Sequence, residues 1–277
     1  MSNQLSFFDT PVAQHHVGAG SFAEELAEFT YYGKRTELSS TKAVIDGAKL
    51  LDVPTFTNEF WTSRQRAAHS MHEISYRACF KPQLPRFFIE RLTHPGDRVY
   101  DPFMGRGTTV LEAALLGRRA AGCDVNPLSA VLVSGRLQPP TMAQVESRLK
   151  NLELSGRIDV REDLLVFYHP ETLKEICALR AYLLKREASG TLDSIDRWIR
   201  MVAVNRLTGH STGFFSVYTL PPNQAVSVDG QRKINAKRQQ VPSRRDVKRI
   251  IAKKTASLLA DATLRPGGSL SLMGTMR

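Results

Sequence analysis

The chain has 277 residues, 42% of them hydrophobic and 23% charged, with 18 Gly and 14 Pro. These proportions exclude collagen-like, mucin-like and wholly disordered classes and allow a sizeable buried core. Thirty-eight Lys and Arg against 27 Asp and Glu leave a formal net charge of +11, which favours polyanionic partners.

No run of eighteen apolar residues occurs, and Met1-Ser2-Asn3-Gln4 lacks the basic-then-apolar pattern of a signal peptide. Neither membrane insertion nor secretion is expected, and the cytoplasm is the expected address. Cys79, Cys123 and Cys177 stand apart without CxxC or Cys/His spacing, so neither a disulfide framework nor a metal site is expected.

Residues 1–20 read as a tail or arm. Within it, Gln4-Leu5-Ser6-Phe7-Phe8 resembles short peptides with which bacterial DNA enzymes dock on the replication sliding clamp, the alternative being a strip folded on its own domain. From Ser39 to Leu51 the spacing of Val44, Ile45, Ala48 and Leu51 predicts a helix, begun by a Ser-Ser-Thr cap and stopped by Pro54. A second helix is predicted over Leu84 to Leu92.

After a His94-Pro95-Gly96-Asp97 turn, Arg98-Val99-Tyr100 reads as a short strand, Asp101 to Gly107 as a glycine-bearing loop, and Thr108 to Leu116 as a helix. The run Ala120-Ala121-Gly122-Cys123-Asp124 follows as a second strand ending in an acid, which completes a βαβ unit. Helices are then predicted over Pro127–Leu137, Met142–Leu154, Pro170–Glu187 and Leu192–Leu207. Thr208 to Gly213 is a loop, Phe214 to Tyr218 a predicted strand, and Arg245 to Leu259 a helix stopped before Pro266.

A strand, a loop with two glycines one residue apart, a helix, then a strand ending in Asp is an arrangement that binds nucleoside cofactors beyond the strand carboxyl ends. Glycines let the backbone approach a ligand closely, and the free N–H groups at the helix start, near Thr108 and Thr109, offer donors to a carboxylate. Asp124, 23 residues after Asp101, is placed to accept ribose hydroxyls. A dinucleotide is disfavoured: the third glycine of its fingerprint is Val110 here, and Asp101 would repel a pyrophosphate. An ammonium and a sulfonium, as in S-adenosylmethionine, suit that acid better.

The full run Asp101-Pro102-Phe103-Met104-Gly105-Arg106-Gly107-Thr108-Thr109, with Glu112-Ala113 and then Gly122-Cys123-Asp124-Val125-Asn126-Pro127, resembles the cofactor motif of amino-group DNA methyltransferases, the cytosine-N4 and adenine-N6 enzymes. Upstream, Phe80-Lys81-Pro82-Gln83-Leu84-Pro85 resembles the segment that precedes this motif in the family, and the likeness spans residues 58–137. The resemblance implies a cofactor set of Lys81, Asp101, Pro102, Phe103, Gly105, Gly107, Thr108, Asp124 and Asn126. In it Asp101 and the Gly105–Gly107 loop cradle the methionine end, Phe103 packs near the adenosine, Asp124 binds the ribose and Lys81 lies near the cofactor carboxylate. Asp163 is a weaker option for the adenine amino group, with a helix cap as its alternative.

Methylating an exocyclic amine requires acceptors for its hydrogens, because its lone pair is delocalised into the base. The family supplies them with Asp, Asn or Ser followed by Pro-Pro and an aromatic that stacks on a flipped base. That tetrad is absent from the sequence. Gln138-Pro139-Pro140-Thr141 fails both flanking positions, whereas Leu220-Pro221-Pro222-Asn223 follows a predicted strand but has Leu and Asn at the flanks. Pro221, Pro222 and Asn223 are therefore weak catalytic candidates, and the catalytic residues are otherwise unknown. Leu264 to Leu270 resembles the turn into a late methyltransferase strand with few residues after it, so a truncated gene, a second methyltransferase chain carrying the tetrad, and a substituted loop stay open.

Between Arg232 and Lys254 lie ten cations and one acid, Asp246. A solvated helix face normally mixes both signs, so Arg232, Lys233, Lys237, Arg238, Arg244, Arg245, Lys248 and Arg249 are candidates for phosphate contact with double-stranded DNA.

The expected fold is therefore α/β, a Rossmann-like S-adenosylmethionine-dependent methyltransferase fold that is incomplete and carries a large helical insertion. Its expected organisation is an N-terminal arm over 1–38, a cofactor-binding βαβ region over 39–137, a helical insertion over 138–207, and a loop, strand and basic segment over 208–277. The expected activity is methyl transfer to cytosine N4 or adenine N6. An RNA guanine-N2 methyltransferase and an inactive cofactor- and DNA-binding subunit are the alternatives.

Overall fold

The computed structural model describes residues 21–31, 33–45, 49–60, 68–76, 79–155, 159–221, 224–261 and 274–276. The chain divides into two compact units, the first made of residues 1–68 and 81–97, the second of 69–80 and 98–277.

The first unit begins with helix α1 (Phe22–Glu28), whose Ser21 and Glu24 form a reciprocal capping box. Short strands β1 (Thr30–Tyr31) and β2 (Lys34–Arg35) pair antiparallel, as do the longer β3 (Glu37–Ile45) and β4 (Lys49–Thr57). The helix predicted over Ser39 to Leu51 is thus a hairpin instead. Its nine residue pairs run from Glu37 opposite Thr57 to Ile45 opposite Lys49. The apolar spacing that suggested a helix belongs to no buried stripe, since Val44 and Leu51 are exposed.

Helix α2 (Gln83–Leu92) forms where expected and buries Pro85, Phe87 and Ile89. Phe87 meets Phe29 edge-on and lies 5.3 Å from Phe60, while the Arg91 guanidinium lies 3.8 Å over the Phe87 ring and pairs with Glu25.

In the second unit β5 (Arg98–Asp101), α3 (Thr108–Leu115) and β6 (Arg119–Gly122) form the expected βαβ unit, with β5 and β6 parallel in register Arg98 to Arg119. Helix α4 (Pro127–Leu137) starts at its proline, capped by Asn126, and α5 (Met142–Asn151) starts at a Thr141–Gln144 capping box. Helices α6 (Pro170–Ala188) and α7 (Ser194–Asn205) follow, then α8 (Val228–Arg238), α9 (Val247–Leu258) and the strand β7 (Gly274–Met276).

β7 pairs parallel with β6, giving the sheet order β5-β6-β7. A strand therefore follows the Leu264–Leu270 segment, which itself lies outside the described residues. Phe214 to Tyr218 is not a strand. Only a parallel bridge between Gly209 and Tyr218 forms there, because these side chains are used as core, with Phe214, Phe215 and Val217 all buried.

The centre of this unit is α7, whose Trp198, Ile199, Met201 and Val202 are fully buried against α4 and α9. Trp198 finds its polar partner in the Thr255 hydroxyl at 3.0 Å. Buried Asp196 accepts from Arg148, from Arg186 at 2.7 Å and from Tyr182 at 3.1 Å, so its charge is matched and its role is to tie α5, α6 and α7 together.

Candidate functional site

At the carboxyl ends of β5 and β6 the chain turns twice, and its own backbone holds the turns together. The Cys123 amide donates to the Asp101 carbonyl and the Met104 amide to the Cys123 carbonyl, each at 3.0 Å. The Gly105 amide donates to Asp124 Oδ2 at 2.8 Å. Asp101 and Asp124 are thereby brought to one strand edge, with Asp101 Oδ1 accepting from the Phe103 amide at 3.0 Å.

Gly105 and Gly107 have φ of +50° and +79°, the left-handed region that suits glycine. A Cβ at Gly107 would also run into the Val133 side chain. Gly107 is the N-cap of α3 and no side chain caps that helix, so its first amides face the loop without a side-chain acceptor.

Asp124 also accepts from the Asn126 amide at 2.8 Å, and the two amide donors, Asn126 and Gly105, hold its carboxyl below the usual carboxylate range. It is an anion at neutral pH. Asn126 caps α4 through its Oδ1 and donates Nδ2 to the Tyr76 hydroxyl at 3.1 Å. Around this edge the apolar side chains are left in solvent: Phe103 is 84% and Val125 100% exposed. Burial would be the ordinary fate of such residues, and their exposure at a polar strand edge marks a place that a flat apolar group can cover.

The loop is braced by residues outside the expected cofactor set. Arg106 donates to the carbonyls of Ile74 and Phe80, at 3.0 and 3.5 Å, and to the Thr108 hydroxyl at 3.2 Å. Fully buried Arg136 donates to the carbonyls of Arg106 and Met71. Beside them the buried His72 Nε2 meets Glu112 Oε1 at 2.7 Å. Burial pushes the His72 pKa down despite Glu112, so the imidazole is neutral and donates Nε2–H to the carboxylate. Tyr76 lies over Gly105 and extends the same strap. Arg106 and Glu112 lie within the motif without an assigned role, whereas His72, Tyr76 and Arg136 lie outside it and reach the loop from other segments.

Of the expected cofactor residues, Asp101, Pro102, Phe103, Gly105, Gly107, Thr108, Asp124 and Asn126 therefore share one edge of the second unit. Lys81 is exposed at the start of α2 in the first unit. Asp163 sits in a 3-10 turn, Glu162–Val166, and pairs with Arg161, so it is neither a strand-end acid nor a cap. Pro221 is exposed, while Pro222, Asn223 and the Gln4–Phe8 segment lie outside the described residues.

The basic candidates separate. Arg244, Arg245 and Arg249 line a cleft of about 520 Å³ together with Arg206, Lys253 and Lys254. Lys248 instead donates to the Leu152 carbonyl at 2.5 Å. On α8, Arg232 pairs with Asp229, Arg238 lies over the Tyr218 ring, and Lys233 and Lys237 are exposed.

Comparison with known proteins finds likeness over part of the sequence. Residues 30–130 match the DNA methylase family. The type II methyltransferase M.MjaII of Methanocaldococcus jannaschii is 35% identical over 75 residues, which is 27% of this chain and 14% of that protein. M.MvaI of Kocuria varians is 30% identical over 116 residues, 41% of this chain and 24% of the relative. M1.MboII of Moraxella bovis is 50% identical over 73 residues, 24% of this chain and 28% of the relative. The chain thus spans less than a third of the length of these relatives. No solved structure matches. The likeness to amino-group DNA methyltransferases drawn from the loop holds over this stretch.

Proposed function

We propose, from a chain whose residues 30–130 carry a DNA methylase pattern, that the protein binds S-adenosylmethionine at the β5–β6 edge and serves methyl transfer to an exocyclic amine of DNA, cytosine N4 or adenine N6. The observation that carries this reading is the joint fixing of Asp101, Gly105 and Asp124 by the loop's own hydrogen bonds, within the stretch that matches the family. A Rossmann-like arrangement is the fold this reading requires, and the parallel β5-β6-β7 order supports it.

The residues fit such a cofactor. Asp124 is ionised, and its amide bonds leave lone pairs for two ribose hydroxyls. The uncapped first turn of α3 offers amides to an amino-acid carboxylate, and Asp101 offers a charge to its ammonium. Phe103 and Val125 supply apolar cover for a purine. When bound, S-adenosylmethionine supplies an electrophilic methyl on a sulfonium.

Leu220-Pro221-Pro222-Asn223, the weak candidate for holding the amine hydrogens, has Leu and Asn at the positions where the family has an acceptor and an aromatic. In this reading a second chain with an Asp, Asn or Ser before Pro-Pro-aromatic supplies it. Incubation of the purified chain with methyl-labelled cofactor and mixed-sequence duplex DNA, alone and with the product of the neighbouring gene, tests this. Expected are cofactor binding by the chain alone, and label in N4-methylcytosine or N6-methyladenine only with the second chain. Label transfer to structured RNA but not DNA overturns the substrate.

A further inference from the structure

The second unit gathers charge at a place remote in sequence from the cofactor loop. Arg206, just past the end of α7, lines a cleft of about 520 Å³ with Arg244, Arg245, Arg249, Lys253 and Lys254, and among the described residues its one acidic lining residue is Asp246. Asp246 is spent on capping α9, accepting from the Arg249 amide at 2.9 Å. Arg244 has Glu175 at 3.6 Å and Lys254 has Glu73 at 3.3 Å, but among the described residues no carboxylate pairs with Arg206, Arg245, Arg249 or Lys253.

Three features mark these cations as built for a ligand. Arg206 is held in place, its Nε on the Asn205 carbonyl at 3.1 Å and its guanidinium 4.1 Å from the centre of the Phe214 ring, so little side-chain entropy is lost when it binds. Arg245 lines the cleft, and its Nε is buried without a hydrogen-bond partner among the described residues. Burial depresses the Lys254 ammonium, and it lowers the Arg206 guanidinium as well, so an anion entering here meets cations that have already lost much of their water.

The spacing suits a chain of anions and not a single one. Arg249 and Lys253, four residues apart on α9, stand about 6 Å apart along the helix, and Arg244 and Arg245 join them from the residues just before its Asp246 cap. Arg206 lines the same cleft from another segment, together with Thr212 and Gly213. Resting on the reading of the chain as a DNA methyltransferase, we propose that this cleft seats consecutive backbone phosphates of one strand of the duplex substrate. The cations of α8 lie outside that contact.

The test is fluorescence anisotropy of a labelled mixed-sequence duplex with the full chain, titrated across salt. Arg249→Gln/Lys253→Gln should weaken binding about 10- to 100-fold near 0.1 M salt and lower the slope of log K against log salt by about 2. Arg206→Gln, which also gives up the Phe214 and Asn205 contacts and so lowers the melting temperature, should act in the same direction on affinity and salt slope. Lys233→Gln/Lys237→Gln, which removes the same charge from α8, should change affinity less than about threefold.

Equal losses in the two double variants, or loss only in the α8 variant, would overturn the proposal. So would displacement of the duplex by inorganic pyrophosphate at concentrations where sodium chloride of equal ionic strength has no effect, which would assign the cleft to a small diphosphate. Tighter binding of duplex RNA than of DNA would also overturn it. Calorimetry with S-adenosylmethionine on the same preparations separates the two readings: lost cofactor affinity with a retained phosphate slope defeats the methyltransferase reading and leaves the cleft standing.

Discussion

The β5–β6 edge and the basic cleft are both parts of the second unit, and they are built on opposite plans. The edge is made of backbone: its amides and carbonyls bond one another across Asp101, Met104, Cys123 and Gly105, and the side chain that matters most, Asp124, serves partly to hold them. The cleft is made largely of side-chain ends, brought together from the end of α7, the residues before α9 and α9 itself. A backbone site fails abruptly when one atom is added and is indifferent to salt. A side-chain charge site fails in increments and is dominated by salt.

The sharpest break comes from Gly107→Val. Left-handed φ and the collision with Val133 together cost roughly 3–5 kcal/mol, read as a fall in urea midpoint and complete loss of S-adenosylmethionine binding by calorimetry. If the fold survives, the duplex-binding salt slope should be that of the parent chain. A slope that collapses with the cofactor site would mean that the two regions are one cooperative unit.

Asp124→Asn is the next in size. One amide acceptor becomes a donor facing an N–H group, and cofactor affinity should fall by about tenfold or more with the salt slope intact. The pH dependence follows the same residue. Because the native carboxyl is depressed below its unfolded value of 3.8, its contribution to stability is complete above that value and is lost as pH falls through the native pKa. Acid titration of Asp124→Asn should show a shallower loss than the parent chain.

Phe103→Ala should lower cofactor affinity several-fold with no change in stability, because the ring is exposed. A fall in melting temperature would instead make the ring structural. The smallest effect is expected at His72. Its native pKa lies below the unfolded 6.5, so stability from this group is present above pH 6.5 and is lost as pH falls toward the native value. His72→Gln should flatten the stability profile just below pH 6.5, measured by urea unfolding, and an unchanged profile would show that His72 does not titrate on folding.

How much of this was legible follows from the same contrast. The edge could be read because its rules are local: two glycines where φ must be positive, a strand before them, an acid after the next strand. Helix α4 could be read from Asn126 and Pro127, a cap and an N1 proline, and the structure places its bounds at Pro127–Leu137. The β3–β4 hairpin could not be read from apolar period alone. Val44, Ile45 and Leu51 fit a helical spacing by accident, whereas the Asp46-Gly47 dipeptide between the two strand sequences is a hairpin signal.

Helix α8 has no apolar face to announce it. It is fixed by polar contacts instead, Gln231 to the Tyr218 carbonyl at 2.9 Å and Asn235 to the Val166 carbonyl at 2.7 Å. The run of positive charge in the sequence marks the cleft only in part, through Arg244, Arg245, Arg249, Lys253 and Lys254. The fold turns α8 to other partners and brings in Arg206, which precedes the run and belongs to an otherwise apolar helix end.

Isothermal calorimetry of S-adenosylmethionine against the folded full-length chain, with Asp124→Asn in parallel, tests the central claim most directly. The account predicts one-to-one binding that the substitution weakens by about tenfold or more. A folded chain that gives no heat, or one whose affinity is untouched by the substitution, would contradict it.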